Sequence, residues 1–367
     1  MGENYIRNRL TLLRAAMGKK GVDALLFTHA ANVTYLSAFT GDESYLLITG
    51  ESCGAKNFFI TDSRYIDQAA QECAEFEIIQ HSNPFPTVQE TIAQLCQEQG
   101  AKTLGFEKSH ISYHLYESIK TACKDTLTFL PTEQLVERLR IVKDKEEAAL
   151  LRHACVCTDK VFDALCSYIR PGRTEKDIEW KMYTLFHTLH CASSFPPVIA
   201  SGVRGAMPHG AATDKKLAPG EFLTLDFGCM YKGYHADMTR TVHIGPADAK
   251  EKKIYNIVLE ANLQAEAIMR AGICGKLPDD TARNHIAEQG YGAHFGHSLG
   301  HGVGLEIHEQ PVLSPRCKDI LQSGTFITVE PGIYISGWGG VRIEDTVLVK
   351  EDGIENLFTS TKELICL

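Results

Sequence analysis

From residue 23 to residue 106 the chain alternates short apolar runs (DALLFT, YLLIT, FFIT, FEII and TLGF) with stretches of helical periodicity at 63–73 and 87–100. That is the pattern of an α/β domain. Ahead of it, Ile6, Leu10, Leu13 and Met17 recur at helical spacing among charged residues, which predicts a helix rather than an export signal. The pattern changes around Leu130 and Pro131. Residues 132–168 read as strongly helical, with the charged run KDKEE at 143–147, and the change divides the chain into domains 1–131 and 132–367. In the second domain, helical patterns at 174–189, 250–271 and 279–289 are interleaved with β-rich runs. Helices inserted between antiparallel hairpins predict an α+β domain in which helices cover a sheet.

The first β-rich run, 222–227, sets Leu223, Leu225 and Phe227 on one face and Phe222, Thr224 and Asp226 on the other. A second run, 234–244, follows the turn-like YKG at 231–233. Pairing the two about that turn sets Asp226 directly across from Asp237. Cβ atoms of such a pair lie about 4.5–5.5 Å apart, and two carboxylates there repel unless one is protonated or a cation lies between them. A metal ion is the expectation, against an exposed hairpin whose acids point into water.

The arrangement recurs. KLAPGEFLTLDFG, ending at Gly228, resembles DILQSGTFITVEPG, ending at Gly332, at an offset of 104 residues, with Asp226 answered by Glu330. ADMT around Asp237 is echoed by IEDT around Glu344 at an offset of 107. A hairpin centred on Gly337 sets Glu330 opposite Glu344. This diverged duplication supplies four acids on two matching hairpins.

Between the hairpins lies FGHSLGHGVGLEIHEQP, with His297, His301 and His308. GHSLG matches the nucleophile-elbow pattern at Ser298, but that motif needs a strand before it and a helix after it, and glycines at 300, 302 and 304 oppose a helix. The same glycines oppose a zinc helix at His297 and His301. His308-Glu309 begins H-E-x-x-H and fails at Val312. Looped or extended backbone still allows these histidines to converge. His209, in AMPHGAA, is a weaker candidate.

Composition narrows the setting. The 367 residues carry a formal charge of −9, with scattered basic residues, so no footprint for nucleic acid or an anionic membrane stands out. The twelve cysteines include no C-x-x-C, which reads as free thiols in a reducing compartment. No segment has the apolar length of a membrane span, and Ile6 stands where an acylation motif at Gly2 wants Ser or Thr. Cytoplasm is the expected location.

The words SFPPVIASG, MPHG, LDFGCMYKGYHADMTRTV, FGHSLGHGVGLEIHE, VEPGIYI and GVRIEDT resemble the creatinase/methionine aminopeptidase, or pita-bread, metallopeptidases. Within that family they resemble the aminopeptidase P and prolidase branch, which cleaves Xaa-Pro bonds. GVDALLFTHAANVTYLSAFTGDESYLLIT and FFITDSRYIDQA resemble its creatinase-like N-terminal domain. The resemblance implies two divalent ions held by Asp226, Asp237, His301, Glu330 and Glu344, with Asp237 and Glu344 shared between them. A donor set of four carboxylates and one imidazole favours Mn²⁺, with Co²⁺, Zn²⁺ or Fe²⁺ as alternatives.

The resemblance further implies a hydroxide between the ions as nucleophile and Glu330 as its proton shuttle. His209 and His308 would bind substrate or oxyanion, with His297 nearby, and Arg342 would orient the liganding carboxylates. Xaa-Pro peptides are the implied partners and a homodimer the implied assembly. A metal-independent creatinase-like amidinohydrolase and a non-catalytic binding protein are the alternatives.

Overall fold

The computed structural model describes residues 3–367; Gly2 lies outside them. Two compact units divide after Arg140. The first opens with helix α1 (Glu3–Lys20), whose Ile6, Leu10, Leu13 and Met17 are all buried, at the expected spacing. Strands β1 (Ala24–Phe27), β2 (Tyr45–Thr49), β3 (Asn57–Thr61), β4 (Glu77–Gln80), β5 (Thr103–Glu107) and β6 (Thr128–Thr132) form one sheet in the order β4-β3-β2-β1-β5-β6. β2 runs antiparallel to both neighbours, and the other pairings are parallel. Helices α2 (Ala30–Ser37), α3 (Ile66–Glu72), α4 (Val88–Glu98), α5 (Tyr113–Ala122) and α6 (Glu137–Arg140) complete the unit.

The division after Arg140 differs from the one expected at Pro131. The pattern change around Leu130 and Pro131 falls inside β6, an edge strand where a missing N–H need not interrupt a ladder and Pro131 pairs in register with Phe106. The helix expected from residue 132 is instead the end of this strand, the single turn α6 and then a helix from Lys145.

In the second unit, α7 (Lys145–Cys166) begins in the charged run: Asp144 accepts from the N–H groups of Glu146 and Glu147, and Glu147 reaches back to the Asp144 N–H. Thr174 caps α8 (Glu175–Thr188) in the same reciprocal way with Asp177. β7 (Ala192–Ser193), β8 (Val198–Ser201), β9 (Glu221–Phe227), β10 (Cys229–Tyr231), β11 (Tyr234–His235) and β12 (Met238–Ile244) build the first hairpin and its flanks. α9 (Ala249–Ile268) and α10 (Lys276–Glu288) follow. β13 (Gly300–Gly302), β14 (Glu309–Leu313), β15 (Phe326–Val329), β16 (Gly332–Ile335), β17 (Gly339–Arg342), β18 (Asp345–Lys350) and β19 (Gly353–Asn356) build the second. The larger sheets are β12-β9-β8 and β14-β13-β15-β18-β19.

Each hairpin carries a helix pair on its back. Leu223, Leu225 and Phe227 of β9 are buried among Leu151 and Phe162 of α7 and Met182 of α8. Ile327, Val329, Val347 and Val349 of the second hairpin are buried with Ile254 and Val258 of α9 and Ile286 of α10. The alternation that buries these residues turns the acids to the opposite face.

Register distinguishes the two hairpins. In the second, both ladders share one register, and it sets Glu330 opposite Glu344, as expected. In the first, Tyr231 pairs with Tyr234 across the two-residue turn Lys232-Gly233, whose φ values are 48° and 82°. Positive φ at both positions is the requirement of a type I′ turn. This turn is centred one residue later than expected, so Asp226 stands opposite Thr239 and not Asp237. A slip of two residues preserves the face, which leaves Asp237 diagonal to Asp226 on the same side. Gly228 lets the strands pass, since a Cβ there would overlap the Ala236 carbonyl. All twelve cysteines are free; most are buried, and Cys366 is exposed. Among the described residues no helix is long and apolar enough to cross a membrane.

Candidate metal centre

Asp226 lies near the end of β9, Asp237 just before β12, His301 within β13, Glu330 just after β15, and Glu344 between β17 and β18. The His301 N–H donates to Thr328 Oγ1 at 2.9 Å, and its Nδ1 lies 3.1 Å from the Gly302 carbonyl. The imidazole therefore turns Nε2 toward the acids, 3.3 Å from Glu330 Oε1 and 3.6 Å from Asp237 Oδ2. Ligand atoms of Asp237, His301 and Glu344 all lie within 4.8 Å of one another. Asp237 Oδ1 is buried and has no hydrogen-bond partner among the described residues.

Burial pushes the Asp237 and Glu344 carboxyls well above the usual carboxylate range, and repulsion among the acids adds to it. Burial also raises Asp226, although Arg342 partly opposes it. Burial disfavours charge on Glu330 and His301 as well, but their mutual hydrogen bond and attraction prevail. Glu330 stays below its ordinary value, and His301 is raised to about 9. Four carboxylates facing one imidazole, Asp237 and Glu344 buried and Asp226 and Glu330 partly so, carry more negative charge than the site can ionise unaided. A divalent cation fits this donor set, and the orphaned Asp237 oxygen is an atom it would satisfy.

Arg342 stands behind the acids. Its guanidinium donates to Asp226, to Thr239 Oγ1 (3.1 Å), to the Tyr334 hydroxyl (2.8 Å) and to the Pro208 carbonyl (3.3 Å). His297 Nδ1 lies 2.8 Å from the Ser298 carbonyl, so it carries the proton, and Nε2 accepts from Tyr334 at 2.9 Å. Burial lowers the His297 pKa, consistent with this neutral tautomer. Both of its nitrogens are occupied within the protein.

The acids floor a cavity of about 540 Å³ walled by Phe195, Pro196, Pro197, Val198 and Ile307, with His209 and His308 also lining it. Both histidines are exposed, and the His308 ring meets that of His301 edge to face at 4.4 Å. Ser298 precedes a strand, not a helix, so it has no nucleophile elbow.

Sequence reasoning gave no role to Tyr334, Thr239 or the proline wall. Tyr334 lies four residues after Glu330, and Thr239 lies two after Asp237. Strand alternation puts such positions on the acid-bearing face, and that was the available signal.

Residues 149–351 match the model of metallopeptidase family M24, and residues 9–142 match the creatinase/prolidase N-terminal domain. An Xaa-Pro dipeptidase of Pyrococcus horikoshii is 38% identical over 351 residues, covering 95% of this chain and 96% of that protein. Among solved structures, an Xaa-Pro dipeptidase from Bacillus anthracis superposes with a TM-score of 0.94 at 41% identity, over 99% of this chain and 100% of the other. An X-Pro aminopeptidase from Thermotoga maritima gives 0.89 at 36%, over 98% and 99%.

Proposed function

The chain belongs to metallopeptidase family M24, with a creatinase-type N-terminal domain ahead of its pita-bread domain, and on that footing we propose that it hydrolyses Xaa-Pro peptide bonds using two divalent ions. Asp226, Asp237, His301, Glu330 and Glu344 would hold them, with Mn²⁺ as the first candidate. The observation that carries this reading is the convergence of Asp237, with its partnerless oxygen, His301 and Glu344, with Glu330 3.3 Å from His301 and Asp226 lining the same cavity. When bound, the ions supply Lewis acidity for the scissile carbonyl and an activated water.

An Xaa-Pro bond has no N–H, and cleavage leaves a secondary amine that needs a proton. Glu330, kept ionised by His301, takes a proton from the water and passes it to that nitrogen. His308 and His209, at the cavity lining, donate to the substrate or to the developing oxyanion. Arg342 fixes Asp226 and Thr239, and His297 steadies Tyr334 behind them. The Phe195-Pro196-Pro197 wall offers an apolar face to the proline ring. A homodimer in the cytoplasm is the accompanying expectation, and light scattering on the purified chain tests the dimer.

The deciding experiment compares an Xaa-Pro dipeptide with an Xaa-Pro-Xaa tripeptide, with Mn²⁺ and with a chelator. Metal-dependent cleavage supports the reading, and the ratio of rates names the dipeptidase or aminopeptidase branch. No cleavage of either with metal bound overturns the substrate, and cleavage indifferent to the chelator overturns the role of the ions.

A further inference from the structure

A second convergence of histidines and a carboxylate occurs in the first unit, among residues with no role so far. β1 and β5 are parallel neighbours, and the crevice beyond the carboxyl ends of such strands is where open α/β sheets bind ligands. His29 follows β1, His110 follows β5, and Glu137 opens α6. The two imidazoles stack with centroids 3.6 Å apart and planes within 10°. Ligand atoms of His29, His110 and Glu137 all lie within 4.8 Å of one another.

The surroundings hold the donors in place. Glu107, buried at the end of β5, accepts the N–H groups of Thr28 (2.7 Å) and His29 (2.8 Å), which fixes the backbone that carries His29. The Asn32 amide donates to Glu107 at 2.6 Å and to Glu137 Oε1 at 2.7 Å. Arg140 orients that amide by donating to Asn32 Oδ1 at 2.8 Å. Glu137 is thus anchored through one oxygen, and the other has no hydrogen bond among the described residues.

The geometry points to a divalent-ion site formed by His29, His110 and Glu137, outside the paired-hairpin centre and suited to Zn²⁺. Two imidazoles and a carboxylate are a donor set that Zn²⁺ accepts while keeping a fourth position open. The exposed His110 side chain turns about its own torsions to bring its lone pair from the stacked to the ligating direction. An ion there joins the segments after β1 and β5 to α6 and fastens the carboxyl edge of the sheet.

The test uses the whole chain with Asp237→Asn and Glu344→Gln, which disable the hairpin centre, dialysed against Zn²⁺ and read by elemental analysis. One Zn²⁺ per chain is expected, and it is lost when His110→Ala is added. The otherwise unaltered chain gives an independent reading that does not depend on the double variant folding: His110→Ala and Glu137→Gln should each bind one ion fewer than wild type, with unchanged circular dichroism. Zinc content that is the same with and without His110, or absent from the folded double variant, overturns the site.

Discussion

Thr239 Oγ1 donates to Glu344 Oε2 across 2.6 Å, so the first hairpin holds a carboxylate of the second. The same hydroxyl accepts from Arg342, and Arg342 donates to Asp226. A chain of contacts from Asp226 through Arg342 and Thr239 to Glu344 therefore joins the two halves of the duplication. Outer partners of this kind orient ligands and tune their affinity.

Replacing Thr239 by Val keeps the shape and removes both contacts. Metal affinity should fall about 10- to 100-fold, and folding stability by about 1–3 kcal/mol, because buried charged groups lose a partner. Activity titrated against Mn²⁺, with thermal denaturation alongside, checks both. An unchanged activating concentration would remove Thr239 from the ligand support.

Glu330→Gln retains size and loses the proton-accepting carboxylate. At saturating metal, turnover should drop by about 10²–10⁴, the range of general acid–base catalysis, with the circular dichroism spectrum intact. Turnover close to wild type would end the shuttle assignment.

Ser298→Ala separates solvent as nucleophile from a serine hydrolase. Its carbonyl still fixes His297, so hydrolysis should stay within a few-fold of wild type. Abolished turnover in a folded, metal-loaded variant would return the serine to consideration.

The metal-free protein should become less stable as pH rises. His301 is raised from 6.5 to about 9, so its contribution is complete below 6.5 and is lost as pH climbs through 9. Asp237 and Glu344, also raised, act in the same direction, because the unfolded chain releases their protons at lower pH than the folded one. Glu330 is lowered, and its opposite effect falls in acid, as pH drops below its ordinary 4.5. Thermal midpoints should decline between pH 6.5 and 9, and Mn²⁺ should restore most at the alkaline end, where ligands need not be deprotonated. A flat metal-free profile would contradict the charge arrangement.

Local pattern carried much of this protein. Alternation along 222–227 identified which face buries Leu223, Leu225 and Phe227, and the Thr174 cap begins a helix at the expected position, whereas the helix expected from residue 132 begins only at Lys145, after the Asp144 cap. The duplicated words located the second hairpin and its facing pair, Glu330 and Glu344. These readings succeed because period, capping and turn chemistry act over a few residues.

The rest required the folded chain. One step in the position of the Lys232-Gly233 turn decides whether Asp226 faces Asp237 or Thr239, and YKG admits either. β6 becomes a strand because β5 offers it an edge, which overrides the proline in its sequence. Arg342 meets Asp226 across 116 positions, and His29 meets His110 across intervening strands. Residue type and spacing thus determined which groups do chemistry and which face they occupy, whereas register and long-range packing decided which of them touch, because those contacts form between segments that no local period relates.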